Sequence, residues 1–167
     1  MGTPALHFVC GPVGSGKTTY ARALAARSKA VRFSTDEWIA RLFGKERPSP
    51  CPVEWAVERA ERCKTLMWPL AEEVIAHDGN TVFDIGLPLQ DERDAFRSWA
   101  MGTRAVVKMH YLDVGRETRL ARVQQRNQER AGTYFFEVSP AMFDKLDAAF
   151  EPPTDDELYG AMIVVDG

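Results

Sequence analysis

The chain has 167 residues, a formal net charge of −3 and 45% hydrophobic residues. These values are typical of one globular domain over residues 1–167, and they do not favour a long nucleic-acid partner, because no overall positive charge would attract a polyanion. No apolar run approaches the ~20 residues that span a bilayer and the N-terminus lacks a signal-peptide pattern, so we expect a cytoplasmic protein that has no membrane partner.

Short apolar segments alternate with longer helical patterns along the chain, which predicts an α/β fold with a five-stranded, mostly parallel sheet between two layers of helices. The predicted strands are Leu6–Cys10, Val31–Phe33, Thr81–Ile85, Val106–Leu112 and Ala161–Asp166. The predicted helices are Lys17–Ser28, Asp36–Leu42, Pro52–His77, Leu89–Met101, Arg116–Arg130 and Pro140–Phe150.

A glycine-rich segment with the spacing G-x-x-x-x-G-K-[ST] joins the first strand to the first helix. In this position its backbone N–H groups and the helix N-terminus bind phosphate, so the segment predicts a P-loop NTPase fold with a nucleoside-triphosphate site. We expect Lys17 to contact the β- and γ-phosphates and the Thr18 hydroxyl to ligate Mg²⁺. The residues predicted to bind ATP are Gly11, Pro12, Val13, Gly14, Ser15, Gly16, Lys17, Thr18 and Thr19.

Three carboxylates, Asp36, Asp84 and Asp113, follow or end predicted strands, where ligands bind in parallel α/β sheets. Asp36 is expected to face the γ-phosphate and to accept the proton of an attacking hydroxyl, while Ser34 and Glu37 form a capping box at the start of its helix. Asp84 is expected to hold Mg²⁺ through water or to position the acceptor. Asp113 is interpreted as a cap of the next helix.

The segment 116–135 is predicted to form a basic helical lid. Arg119, Arg122 and Arg126 share one face of its helix, and a guanidinium group can stabilise the charge that develops on a transferring phosphoryl group. We therefore expect Arg126 to contribute to catalysis and Arg122 to contact the nucleotide. A solvated face with salt bridges is the alternative for these arginines.

Together these motifs resemble a family of small P-loop kinases that includes polynucleotide 5′-hydroxyl kinases, chloramphenicol phosphotransferase, zeta-toxin kinases and unassigned bacterial ATP-binding proteins. The resemblance rests on the sequences at 11–19, 34–38 and 82–86, on Arg122-x-x-x-Arg126, and on 135–138 with 150–153. It implies that Lys17, Asp36 and Arg126 are catalytic, that Thr18 binds Mg²⁺ and that Asp84 contacts the acceptor.

The sequence departs from this family three residues after Asp36, where the polynucleotide kinases have an arginine that binds the acceptor phosphate. Here Ile39 occupies that position, and Arg41 follows two residues later as a substitute candidate. Trp38 is a candidate for the apolar side of the acceptor cleft. We expect this acceptor side to lie within residues 36–77.

These observations predict an ATP-dependent kinase that transfers the γ-phosphoryl group to a hydroxyl of a small molecule or of a nucleotide or nucleic-acid 5′ end. A nucleoside-monophosphate kinase is one alternative, and it would need a cationic pocket for the acceptor phosphate. A non-catalytic module that senses ATP is another, and it would tolerate substitution of Asp36.

Overall fold

The computed structural model describes residues 2–49 and 51–165, and its five strands form one sheet. The strands are β1 (Ala5–Cys10), β2 (Ala30–Ser34), β3 (Asn80–Asp84), β4 (Val106–Asp113) and β5 (Met162–Val165). Their order is β2-β3-β1-β4-β5, and every neighbouring pair is parallel. The predicted α/β fold with a five-stranded parallel sheet is therefore confirmed, with the strand before the glycine-rich segment at its centre.

The helices follow the predicted order. They are α1 (Lys17–Ser28), α2 (Thr35–Phe43), a 3₁₀ turn (Gly44–Glu46), α3 (Val53–Ala76), α4 (Gln90–Met101), α5 (Arg116–Glu129), α6 (Pro140–Ala148) and α7 (Asp155–Leu158). The sequence pattern does not predict the 3₁₀ turn or α7, and Asp166, the last residue of the predicted fifth strand, lies outside the described residues. Within the described ranges, no helix is both long and apolar enough to cross a membrane.

Side chains alternate between the two faces of the sheet, and each face has its own core. Phe8 and Phe83 lie in one core with side chains of α3 and α4, including Phe96. Val9 and Val82 lie in the other core, against Ala21 and Leu24 of α1. Because successive residues of a strand point to opposite faces, this pattern requires helices on both sides. The helices then hold the carboxyl ends of β1, β2 and β3 at one edge, where the site is built.

Two predicted helix caps are wrong. Ser34 precedes α2, but its side chain caps no backbone N–H and its Oγ instead lies 3.3 Å from Asp84 Oδ2. Glu37, the other half of the predicted capping box, pairs with Arg32 and Arg41. Asp113 ends β4, whereas the residue that precedes α5 is Gly115. In the first case tertiary partners compete successfully with the local cap. In the second the helix begins at Arg116 as predicted, but Asp113 still belongs to β4 and Gly115 is the residue that precedes the helix.

Candidate active site

The glycine-rich loop between β1 and α1 is curled tightly against the backbone of α5. Gly14 has a φ of 78°, and a Cβ atom at this position would lie 2.6 Å from the carbonyl oxygen of Arg119. Gly16 precedes α1 with a φ of 91°. A side chain at Gly14 would meet both a backbone clash and left-handed strain, so glycine is required there for the loop to close on α5.

Lys17, the first residue of α1, folds back over this loop. Its Nζ donates hydrogen bonds to the carbonyl oxygens of Gly11 at 2.7 Å and Pro12 at 2.8 Å. Burial lowers the pKa of Lys17, and the negative charges of Asp84 and Asp36 oppose that shift. The ammonium group therefore lies between the loop and two carboxylates, where an anionic oxygen from a ligand could replace the carbonyl partners.

A cavity of about 270 Å³ opens in front of the loop. It brings together the ends of β1, β2 and β3 with residues that follow α5. Its lining comprises Gly11, Val13, Gly14, Gly16, Lys17, Thr18, Thr19, Thr35, Asp36, Asp84, Ile85, Gly86, Pro88, Arg126, Thr133, Phe136, Val138, Leu146 and Phe150. The structure thus places Lys17, Thr18, Asp36, Asp84 and Arg126 around one cavity, although they are distributed over more than a hundred positions of the sequence.

Asp36 lies in the first turn of α2 and faces this cavity. Burial raises the pKa of Asp36, and the charge of Asp84 raises it further, while Lys17 and Arg126 oppose the rise. A carboxylate with a raised pKa is a stronger proton acceptor than an ordinary one. The role of Asp36 as a general base stays a prediction, and the direction of its pKa shift fits that role.

Asp84, the last residue of β3, is buried and held from one side. Its Oδ2 accepts hydrogen bonds from Arg32 Nη1 at 3.1 Å and from Ser34 Oγ at 3.3 Å. Arg32 also contacts Glu37, so one guanidinium joins the ends of β2 and β3 to α2. Sequence analysis missed Arg32, although a cation inside a short strand, four and five residues before Asp36 and Glu37, is a detectable signal.

Arg119, Arg122 and Arg126, the three arginines of α5 that were predicted to share one face, differ in environment. Arg119 is buried, donates to the carbonyl oxygens of Val114 at 2.8 Å and Val13 at 3.1 Å, and pairs with Asp147 at 2.7 Å. Arg119 therefore fastens α5 to the loop and to α6. Arg122 Nη1 lies 3.4 Å from the Ser15 carbonyl oxygen.

Arg126 differs from the other two because, of the three, it alone is among the residues that line the first cavity. It lines the cavity, and its Nε is buried without a hydrogen-bond partner in the described part of the chain. Burial lowers the pKa of Arg126, and the charge of Asp36 opposes this effect. A buried donor of this kind costs about 1–3 kcal/mol when unpaired, so an anionic ligand that accepted its hydrogen bond would recover part of that cost.

A second cavity, of about 520 Å³, lies on the other side of the loop, and sequence analysis did not predict it. It shares Gly14, Gly16, Thr19, Arg126 and Thr133 with the first cavity. The rest of its lining is Ser15, Tyr20, Ala23, Leu112, Val114, Arg122, Val123, Val164 and Val165. The apolar residues of this lining come mainly from α1, β4, α5 and β5, so no local sequence motif marks the pocket.

The Tyr20 hydroxyl ends a hydrogen-bonded chain that begins in the sheet. His7 Nδ1 lies 2.8 Å from His110 Nε2, and His110 Nδ1 lies 2.8 Å from the Tyr20 hydroxyl. Burial is the main cause that lowers the pKa of each histidine to about 4, so both rings are neutral at pH 7. These hydrogen bonds therefore hold the Tyr20 side chain beside the second cavity, and the two neutral histidines add no charge there.

Two residues predicted for the acceptor side lie elsewhere. The side chain of Arg41 is 76% exposed and its Nε donates to Glu37 Oε1 at 3.0 Å. The Trp38 ring packs 6.2 Å from that of Phe33, at the edge of the core. Neither residue is among those that line the two cavities. Their part in acceptor binding stays a prediction, and it would need a movement of α2.

The donors in the first cavity fit Mg²⁺ as an ion shared with a nucleotide. Hydroxyl and carboxylate oxygens are its preferred protein ligands, and it is usually bound by one or two carboxylates together with phosphate oxygens and water. Thr18 and Asp84 supply such oxygens beside the loop. Within residues 2–49 and 51–165, no group of three or more histidine, cysteine or acidic side chains could hold a metal by itself.

Three solved structures share this fold at low sequence identity. A protein provisionally named as a kinase from Chloroflexus aurantiacus has a TM-score of 0.77 at 17% identity, over 98% of this chain and 89% of that one. Chaetomium thermophilum Kti12 in complex with ADP-AlF3 has a TM-score of 0.69 at 17% identity, over 97% and 88%. A gluconokinase from Sinorhizobium meliloti has a TM-score of 0.63 at 15% identity, over 99% and 84%.

The comparison with curated proteins finds no match. The sequence profile of a family described as an AAA domain matches residues 6–153, a range that begins in β1 and includes the glycine-rich loop and most of the lining of the first cavity. The matched range covers most of the chain, and the solved structures agree on an α/β P-loop NTPase fold. The chain therefore belongs to this AAA-domain family.

Proposed function

We propose that the protein is an ATP-dependent kinase that transfers the γ-phosphoryl group to a hydroxyl of a small molecule or of a nucleotide or nucleic-acid 5′ end. The observation that carries the proposal is the position of Asp36, a carboxylate with a raised pKa that lines one cavity together with Lys17 and Arg126. A site built only to hold a nucleotide has no need for a proton acceptor opposite the phosphate-binding loop.

The two cavities divide the nucleotide between them in this proposal. The loop and Lys17 bind the β- and γ-phosphates, and the apolar second cavity, beside Tyr20 and Val164, holds the base and ribose. Arg126 lines both cavities and Arg122 lines the second, so both arginines are candidates to contact the phosphate chain of a nucleotide that occupies the two. Thr18 and Asp84 would hold Mg²⁺, which neutralises charge on the phosphates when it is bound.

The reaction needs little covalent chemistry from the protein. The acceptor oxygen forms a bond to the γ-phosphorus, the bond from that phosphorus to the bridging oxygen of ADP breaks, and the hydroxyl proton passes to Asp36. Lys17 and Arg126 stabilise the charge that spreads over the transferring oxygens. Most of the rate enhancement then comes from positioning and from charges that are fixed before the reaction starts.

Two observations support a kinase over a nucleotide sensor. The buried Nε of Arg126 faces a site whose charge changes during phosphoryl transfer, and Asp36 has an environment that favours proton uptake. Kinases also occur among the proteins that share the fold, the gluconokinase among them. These names describe those proteins. For this chain they support phosphoryl transfer as the type of reaction, and they do not identify its acceptor.

The test is ADP release from Mg·ATP across a panel of nucleosides, nucleoside monophosphates, sugars, aromatic alcohols and 5′-hydroxyl oligonucleotides. Asp36→Asn should retain ATP binding and lose stimulated turnover by ~10²-fold or more. The matched control is Asp113→Asn, which removes an exposed carboxylate at the end of β4, outside both cavities. Equal turnover by wild type and Asp36→Asn would contradict the assignment of Asp36.

A further inference from the structure

We propose that the acceptor site selects an uncharged alcohol that carries a ring, and that it rejects phosphorylated and other anionic acceptors. The inference rests on the proposed function, because it takes Lys17 and Arg126 as the partners of the triphosphate. What remains of the first cavity is then the surface that the acceptor meets. Its shape, its charges and its hydrogen-bond acceptors determine which class of acceptor can bind there.

The far wall of the first cavity is apolar and partly aromatic. It is formed by Ile85, Pro88, Phe136, Val138, Leu146 and Phe150. These residues belong to three separate segments: the loop after β3, the chain after α5, and the region at the end of α6. Aromatic and aliphatic side chains that converge on one volume favour a ligand with a flat apolar face, since burial of that face is the main source of its binding energy.

Two arginines near this wall, Arg32 and Arg47, already contact other side chains. Arg32 is bound to Asp84 and to Glu37, so its guanidinium is matched by two carboxylates. Arg47 lies with its guanidinium carbon 4.9 Å from the centre of the Phe136 ring, and its charge acts on Asp36. Each carboxylate that lines the acceptor side therefore has one arginine to balance it.

An anionic acceptor would gain little from such a surface and would lose much of its hydration. A phosphate monoester placed against Asp36 and Asp84 would meet two negative charges without a surplus cation to compensate. An alcohol interacts favourably with the same carboxylates, because its hydroxyl donates a hydrogen bond to them and carries no charge that would have to be desolvated. Specificity against anions then follows from repulsion as well as from missing partners.

The experiment measures binding to the whole chain, saturated with Mg²⁺ and a non-hydrolysable ATP analogue so that the triphosphate site is filled. Matched pairs of ligands differ only in a phosphate: 2-phenylethanol and its phosphate ester, thymidine and its 5′-monophosphate, methyl glucoside and its 6-phosphate. Calorimetry or saturation-transfer NMR gives the affinity of each. We expect the neutral member of each pair to bind ~10-fold or more tightly than its phosphate ester.

Two variants test the charge argument directly. Leu146→Lys places a cation on the cavity wall at a position that is 38% exposed, and it should raise the affinity for the esters by ~10-fold or more. Its matched control is Leu66→Lys on α3, where the leucine is 56% exposed and lies outside both cavities. Arg47→Ala removes a positive charge that acts on Asp36, so it should preserve or widen the preference for neutral ligands.

The outcomes separate the inference from the proposed function. Tighter or equal binding of the esters, or no binding by any neutral compound, would overturn the inference. A preserved neutral preference without phosphoryl transfer from ATP would support the inference and contradict the kinase. Transfer to monophosphates would do the reverse.

Discussion

Arg93 and Glu157, which are 64 positions apart, form a buried ion pair with two parallel contacts. Arg93 Nε lies 2.7 Å from Glu157 Oε1, and Nη2 lies 3.0 Å from Oε2. Arg93 is 0% exposed and Glu157 is 4% exposed. The Nη1 of the same arginine is within hydrogen-bond distance of the carbonyl oxygens of Leu87, Pro88 and Glu151. The pair thus ties α4 and α7 to the loop that forms one wall of the first cavity.

Removal of one partner of this pair should be costly. Arg93→Met leaves the Glu157 carboxylate buried and without its main partner, and we expect a loss of about 3–5 kcal/mol in the free energy of unfolding. The double variant Arg93→Met with Glu157→Leu should recover a large part of that loss, since no buried charge is left. Urea denaturation of the two variants measures both effects.

An exposed pair provides the control for that comparison. Arg62 and Glu58 lie four residues apart on α3, with side chains that are 60% and 54% exposed. Arg62→Met should change the free energy of unfolding by no more than about 1 kcal/mol. Similar losses for Arg93→Met and Arg62→Met would show that the buried pair contributes no more than a surface pair.

The pH dependence of turnover should report the environment of Asp36. Because burial and the charge of Asp84 raise its pKa, the carboxylate is protonated at a higher pH than an ordinary aspartate. The general base is lost as the pH falls through the raised pKa, so kcat/KM should decline on the acid side above pH ~4, the usual range of aspartate. An acid limb within that usual range would contradict a raised pKa of Asp36 in the free enzyme.

Gly14 should be far less tolerant of a side chain than Gly132. Both have left-handed backbones, with φ of 78° and 66°, but only at Gly14 would a Cβ meet a backbone oxygen. Gly132→Ala should cost about 1–2 kcal/mol through strain alone. Gly14→Ala should cost more and should also weaken nucleotide binding, because the loop must withdraw from α5. Thermal unfolding and nucleotide titration of both variants provide the comparison.

The buried histidine pair should make stability depend on pH. The pKa values of His7 and His110 are lowered from 6.5 to about 4, so the unfolded chain takes up protons at a higher pH than the folded chain. Their contribution is complete above pH 6.5 and is lost as the pH falls from 6.5 towards about 4. His110→Gln should flatten that part of the curve of unfolding free energy against pH. A slope that is the same in wild type and variant would contradict this assignment.

The sequence predicts the elements well where the signal is local. The boundaries of α1 match the structure because Gly16 and Lys17 begin the helix in a fixed motif, and Asp84 could be placed at the ligand edge because it ends an apolar strand. The contact of Arg32 with Asp84 and that of Arg93 with Glu157 could not be predicted, since the partners are 52 and 64 positions apart. The second cavity was missed for the same reason.

The contact between the glycine-rich loop and α5 has a consequence for motion. Gly14 lies against the backbone of Arg119, and the Arg119 side chain donates to the Val13 carbonyl oxygen at 3.1 Å. The first half of α5 is therefore part of the same rigid body as the phosphate-binding loop and cannot swing independently of it. Any closing movement over the cavity must therefore come from the segment that follows this helix, around Thr133 and Phe136. That segment would close over a loop and a helix that do not move relative to each other.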